Sequence, residues 1–263
     1  MTVKDKRRRD EELARRLLAI AADPGASSAE RDQAQARASM IMARLMIDEL
    51  DLDQPDAEQI TTRDMIITGG PTTASRALAD ALHRIACAAG AATYYRDNRR
   101  QTRQQGPGPH IVLCVVGYPS DLDRLMPLLS AAQAHAAVGW DAWRRANPRS
   151  VKPMKPATRR ATRDGYTLGW GDAIAERVRA ARAGAIQVRD QDATTNSTAL
   201  VVRSREQRIT DYLSTLRLTT GTASAVDYRA YHDGARDAQA SGLGANEKGI
   251  RGHHHLLEGT TTS

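Results

Sequence analysis

At 263 residues, 41% of them hydrophobic, the chain is long enough to bury a core in one large domain or two small ones. Its apolar runs fall short of the ~18 residues of a membrane span, and the charged start "MTVKDKRRRDEELARR" lacks the apolar segment of a secretory leader, so a cytoplasmic protein with no membrane partner is expected. Phe is absent and aromatics make up 4%, which favours close-packed helices over a large sandwich, while the net charge of +7 points to anionic partners.

The first predicted element is a helical hairpin. Leu13, Leu17, Leu18 and Ala21 share one face, "DPGAS" at 23–27 breaks the helix, and Ala34, Ala38, Ile41 and Leu45 carry a second stripe. Ser27 with Glu30 forms a capping-box pattern at the start of the second helix. Residues 48–62, acidic and holding a proline, form a connection. A short strand "MIIT" at 65–68 then stops at Gly69-Gly70-Pro71, and a helix over 72–90 turns Leu78, Leu82, Ile85 and Ala89 inward. "AATYYRD" at 91–97 and "HIVLCVVGY" at 110–118 make a β-hairpin around an exposed basic loop.

Asp121 opens a helix through about Trp143 with Leu122, Leu125, Leu129 and Ala132 or Gln133 on its stripe. A helix from Ala157 to Ala183 carries Gly165, Gly169 and Ala173 at four-residue spacing, which admits a neighbouring backbone. "STALVVRS" at 197–204 is expected to be a strand, with helices over 206–216 and 226–240 and a frayed end from 245. The expected fold is therefore a helix-dominated α+β protein: an N-terminal αα-hairpin domain over 1–52, a small, mainly antiparallel sheet flanked by helices over 63–244, and a flexible tail over 245–263.

The hairpin "RRLLAIAADPGASSAERDQAQARASMIMARLMID", 15–48, resembles the small helical domain known as domain of unknown function 2786. "VVGYPSDLDRLMPLLSAAQAHA" and "RRATRDGYTLGWGDAIAERV" look like the region that often follows that hairpin in phage and actinobacterial proteins. The resemblance implies this architecture and a phage or prophage origin, hence the host cytoplasm. It implies no activity and supplies no catalytic residues.

The chemistry is concentrated in "RRANPRSVKPMKPATRRATR", 144–163, which holds eight basic residues and no acidic one. From Arg96 to Arg163 the charge is +9, whereas the remainder sums to −2. Part of the Arg excess is genomic, since only five of 38 basic residues are Lys and Phe is missing, the bias of a GC-rich genome. Localised cations on proline-interrupted backbone neutralise phosphates, and Trp140, Trp143, Tyr94 and Tyr95 nearby offer rings for unpaired bases. The candidate nucleic-acid contacts are Arg144, Arg145, Lys152, Lys155, Arg159, Arg160 and Arg163, with Arg99, Arg100 and Arg103 of the basic loop.

DNA or RNA is the partner this charge offers a non-catalytic accessory protein, with a merely solvated Arg-rich loop and an acidic protein partner as the competing readings for the same charge. Two other readings stay open: a metal-dependent hydrolase with a dispersed site, and an interaction module docking through the hairpin. His83 and Cys87 at i, i+4 with His110 and Cys114 are the one metal-ligand pattern in the folded region, and packing explains them more simply. Cys87 and Cys114 are expected as reduced thiols, and Asp121 and Asp123 as cap and first-turn residues. "HHH" at 253–255 has no designed geometry, and no phosphate-binding loop, dinucleotide fingerprint or HExxH occurs, so no metal or cofactor is assigned.

Overall fold

The computed structural model describes residues 3–48, 50, 58–98, 108–192, 197–218 and 227–240. The acidic connection in its 49 and 51–57 portions, most of the basic loop with Arg99, Arg100 and Arg103, and the tail beyond 240 lie outside the described residues.

Helices α1 (Val3–Ala22) and α2 (Ser28–Asp48) form the expected hairpin. Ser27 makes the capping box: its N–H donates to the Glu30 carboxylate at 2.9 Å, and its hydroxyl oxygen accepts from Glu30 N–H at 3.3 Å. Ala14, Leu18 and Ala21 face Ala34, Ala38, Ile41 and Leu45 across a seam of buried residues.

The sheet has three antiparallel strands in the order β1-β3-β2: β1 (Thr61–Ile67), β2 (Ala92–Asp97) and β3 (Ile111–Gly117). Central β3, "IVLCVVG", is apolar throughout because both of its faces are covered. Ile111, Leu113 and Val115 enter the main core beneath α3 (Thr73–Ala88) and α4 (Pro119–Ala146). Val116 packs with Tyr118 and Ile209 on the other face, and an ion pair between Asp64 and Arg96 spans the two edge strands that flank Cys114.

The long α6 (Pro156–Asp192) passes the expected end at Ala183, because Gly184 does not adopt the positive φ of a helix-ending glycine and the helix runs on through it. Its small residues dock α8 (Tyr228–Ala240). A Cβ at Gly165 would strike the Asp227 carbonyl, one at Gly169 the Tyr231 carbonyl, and one at Gly234 the Tyr166 carbonyl.

The segment expected as a strand, 197–204, is instead the first half of α7 (Thr198–Thr215), continuous with the predicted 206–216 helix. β-Branched Val201 and Val202 favour a strand locally. Burial falls on Thr198, Val202, Arg205 and Ile209, a helical spacing, and Asp190 of α6 accepts the Thr198 N–H at the new helix's start. Tertiary packing overrides the local preference. One continuous core joins Ala14 and Ile41 of the hairpin to Leu113, Leu129 and Ile174.

Candidate functional site

The basic stretch is the return between α4 and α6. Arg144 and Arg145 fill the last turn of α4, where cations suit the helix dipole. The Asn147 amide donates to the Trp143 carbonyl from both backbone (3.0 Å) and side chain (2.9 Å), which ends the helix. Pro148 starts the single turn α5 (Pro148–Val151), and Pro156 starts α6, each at a first helical position where a missing N–H costs nothing. Arg159, Arg160 and Arg163 then lie in the first two turns of α6, with no acidic residue in its first turn. Cations at that end oppose the dipole, a penalty of about 0.3–1 kcal/mol each that a bound anion would remove.

Arg144, Arg159, Arg160 and Arg163 converge on one cavity of about 690 Å³, with Trp140 on its α4 wall. The opposite wall is the β1–α3 turn. There Gly69 and Gly70 adopt φ of 94° and 71°, conformations open to glycine, and bring the N-terminus of α3 to the cavity. The Thr72 hydroxyl accepts the Ser75 N–H at 3.2 Å, and the Ser75 hydroxyl donates to the Thr68 carbonyl at 3.0 Å. Among the described lining residues only Asp141 is acidic; it pairs with Arg144 at 3.1 Å. Arg163 has its Nε buried without a hydrogen-bond partner, 3.8 Å from Asp164. Burial pushes the Asp164 carboxyl up, against the pull of the Thr73 hydroxyl and the neighbouring Arg163 and Arg160. The charged side chains therefore stand on the α4–α6 side of the cavity, opposite a neutral wall of small and hydroxyl residues.

The structure thus brings four of the ten candidate contacts together. Arg145 is exposed beside the cavity, its Nε donating to the Asp141 carbonyl at 3.1 Å, and Lys152 and Lys155 are exposed on the α5 return. Arg99, Arg100 and Arg103 fall outside the described residues. Trp140 and Trp143 stack with centroids 5.3 Å apart and 20° between planes, and Tyr166 closes on both. Tyr95 lies elsewhere, its hydroxyl donating to Asp80 at 2.7 Å, and Tyr94 packs on the sheet face toward α7. The Thr68–Ser75 wall is the part that sequence reading missed. Its signal was the Gly69-Gly70 pair between a strand and a helix, read there as a stop.

His83 and Cys87 adjoin on α3, but His110 and Cys114 do not join them. His83 Nδ1 bonds the Thr93 hydroxyl at 2.7 Å and lies 3.6 Å from Cys87 Sγ on α3. Cys114 is buried beside Tyr94 and Asp64 on the other face of the sheet, and His110 is buried against the Gly108 carbonyl and 3.2 Å from Asn98 Nδ2. Desolvation raises the Cys87 thiol and lowers His83, so the pair favours neutral thiol and neutral imidazole over a thiolate. Among the described residues no group of three or more His, Cys, Asp or Glu could hold a metal ion. Asp121 stands in the first turn of α4 behind Tyr118, the N-cap, and is held by Arg205 at 3.0 Å; Asp123 pairs with Arg63 at 2.5 Å.

No helix among the described residues is long and apolar enough to cross a membrane. Compared with known proteins, the chain matches no family model, no curated protein and no solved structure.

Proposed function

We propose that the chain is a non-catalytic accessory protein that binds nucleic acid through its phosphate backbone, in the cleft between the α4–α6 return and the β1–α3 turn. The observation that carries this reading is the convergence of Arg144, Arg159, Arg160 and Arg163 on one cavity with a single acidic side chain among its described lining. Guanidinium groups match phosphate oxygens in a planar fork, and counterion release supplies affinity that does not depend on sequence. Trp140 beside the arginines offers a ring for an unpaired base, worth about 1–3 kcal/mol where stacking occurs. Exposed Arg145, Arg149, Lys152 and Lys155 extend the positive surface beyond the cleft.

Fluorescence anisotropy with labelled single- and double-stranded DNA and RNA of scrambled sequence tests the proposal. Binding at low salt is expected, with little sequence preference, and replacing Arg159, Arg160 and Arg163 by Gln should weaken it strongly. Trp140→Leu should cost more on single strands than on duplex. No binding to any of these probes at low salt would refute the reading and leave the cleft to an acidic protein partner.

A further inference from the structure

On the other side of α4 lies a second cavity, of about 490 Å³, between the start of α2 and helices α4, α6 and α8. That volume falls within the range of about 300–1,000 Å³ usual for small-molecule sites. Its character is opposite to that of the basic cleft. Asp32, Asp233 and Asp237 contribute three carboxylates against one guanidinium, Arg236, and Trp143, Tyr166 and Trp170 contribute three rings.

The buried part holds polar groups without protein partners. His135 and Trp170, each 2% exposed, line it with rings 5.4 Å apart. His135 Nε2 faces Asp32 Oδ1 at 2.8 Å, so in the neutral imidazole Nε2 carries the proton and Nδ1 presents a lone pair. Neither His135 Nδ1 nor Trp170 Nε1 has a hydrogen-bond partner among the described residues. A buried polar group left in that state costs about 1–3 kcal/mol. A structural ion pair accounts for Asp32 and His135 Nε2 but leaves these two nitrogens idle.

Toward the mouth, buried Tyr166 donates its hydroxyl to exposed Asp237 at 3.1 Å, and Arg236 forms an ion pair with Asp233. Burial, then the nearby Asp233 and Asp32, push the Asp237 carboxyl above its usual range, while Tyr166 and Arg236 pull it down. The carboxylates therefore crowd one another, and added positive charge would relieve them. Carboxylates outnumber guanidinium groups three to one on the wall, and aromatic faces beside carboxylates favour ammonium and guanidinium groups. A phosphate would be repelled. Arg236, largely exposed, already places one guanidinium on Asp233 and can swing outward.

We propose that this cavity binds a small organic cation of the alkylammonium or guanidinium class, seated between Asp233, Asp237 and the rings of Trp143 and Tyr166. The site shares no lining residue with the nucleic-acid cleft. The inner N–H group of its ligand donates to His135 Nδ1, beside the Trp170 ring.

The test is calorimetric titration of the full chain with agmatine and with 1,4-diaminobutane, with sorbitol as a neutral control and tryptophan fluorescence as a second readout. At least one cation should bind saturably, sorbitol should not, and Asp233→Asn with Asp237→Asn should weaken binding at least tenfold. The Arg159, Arg160 and Arg163 to Gln variant should bind the cation as the wild type does. Asp237→Asn alone, at the exposed mouth, serves where the double variant loses its fold. No saturable binding of either cation, binding unchanged in the Asp variants, or equal binding of sorbitol would overturn the proposal.

Discussion

Gly169 shows what a single residue decides in this fold. Replacing a helix-interior glycine with Ala ordinarily gains up to about 1 kcal/mol, yet a Cβ there would meet the Tyr231 backbone carbonyl, which cannot rotate away. Overpacking of this kind costs about 1–3 kcal/mol or more, so Gly169→Ala should lower stability in urea unfolding, and a raised midpoint would refute the α6–α8 contact. That contact was legible in the spacing of Gly165, Gly169 and Ala173; the partner helix was not, because nothing local names it. Ala38, with no exposure, sits in the hairpin seam. Ala38→Glu should cost about 3–5 kcal/mol, the penalty of an uncompensated buried charge, and wild-type thermal stability would count against the seam. The thiols separate by burial: Cys87 is exposed and Cys114 is buried, with its pKa pushed up to about 11. Iodoacetamide on the native protein should modify one thiol per chain, at Cys87 and slowly; labelling of Cys114 under the same conditions would contradict the packing of β3.

At the scale of elements, α7 carries the clearest lesson. "STALVV" reads as a strand because three of its residues are β-branched, but a period of two is absent from its burial and a helical period is present. The deciding group, Asp190, stands in another helix and accepts the Thr198 N–H. Removing it in Asp190→Ala should cost about 1 kcal/mol, the usual worth of a capping oxygen, with partial loss of helical circular dichroism. An unchanged spectrum and midpoint would mean that burial of Val202 and Ile209 alone holds α7. The capping box at Ser27 needed no such partner and was legible because both its residues lie within one turn. Half of the cleft was legible for the same reason: Arg159, Arg160 and Arg163 are neighbours in sequence, whereas Thr68–Ser75 lies far upstream in the chain and reaches the arginines only by folding.

For the whole molecule, the continuous core predicts cooperative behaviour. Because Ala14, Ile41, Leu129 and Ile174 belong to one cluster, thermal unfolding should show a single transition that Ala38→Glu shifts as a unit; two separable transitions would make the 48–62 connection an energetic boundary. Charge is also a property of the whole: the chain carries +7, yet α4, α6 and the α3 N-terminus gather positive charge at one cleft while α8 helps to form an acidic cavity on the other side of α4. The central claim is that this cleft holds phosphates. Each phosphate contact adds about 0.7–0.9 to the slope of log K against log salt. The measurement is therefore nucleic-acid affinity over a salt series for the wild type and for the variant with Arg159, Arg160 and Arg163 changed to Gln. The account predicts a steep wild-type slope that the variant reduces by roughly two units, with the helical spectrum intact. A slope left unchanged by the three substitutions would contradict it.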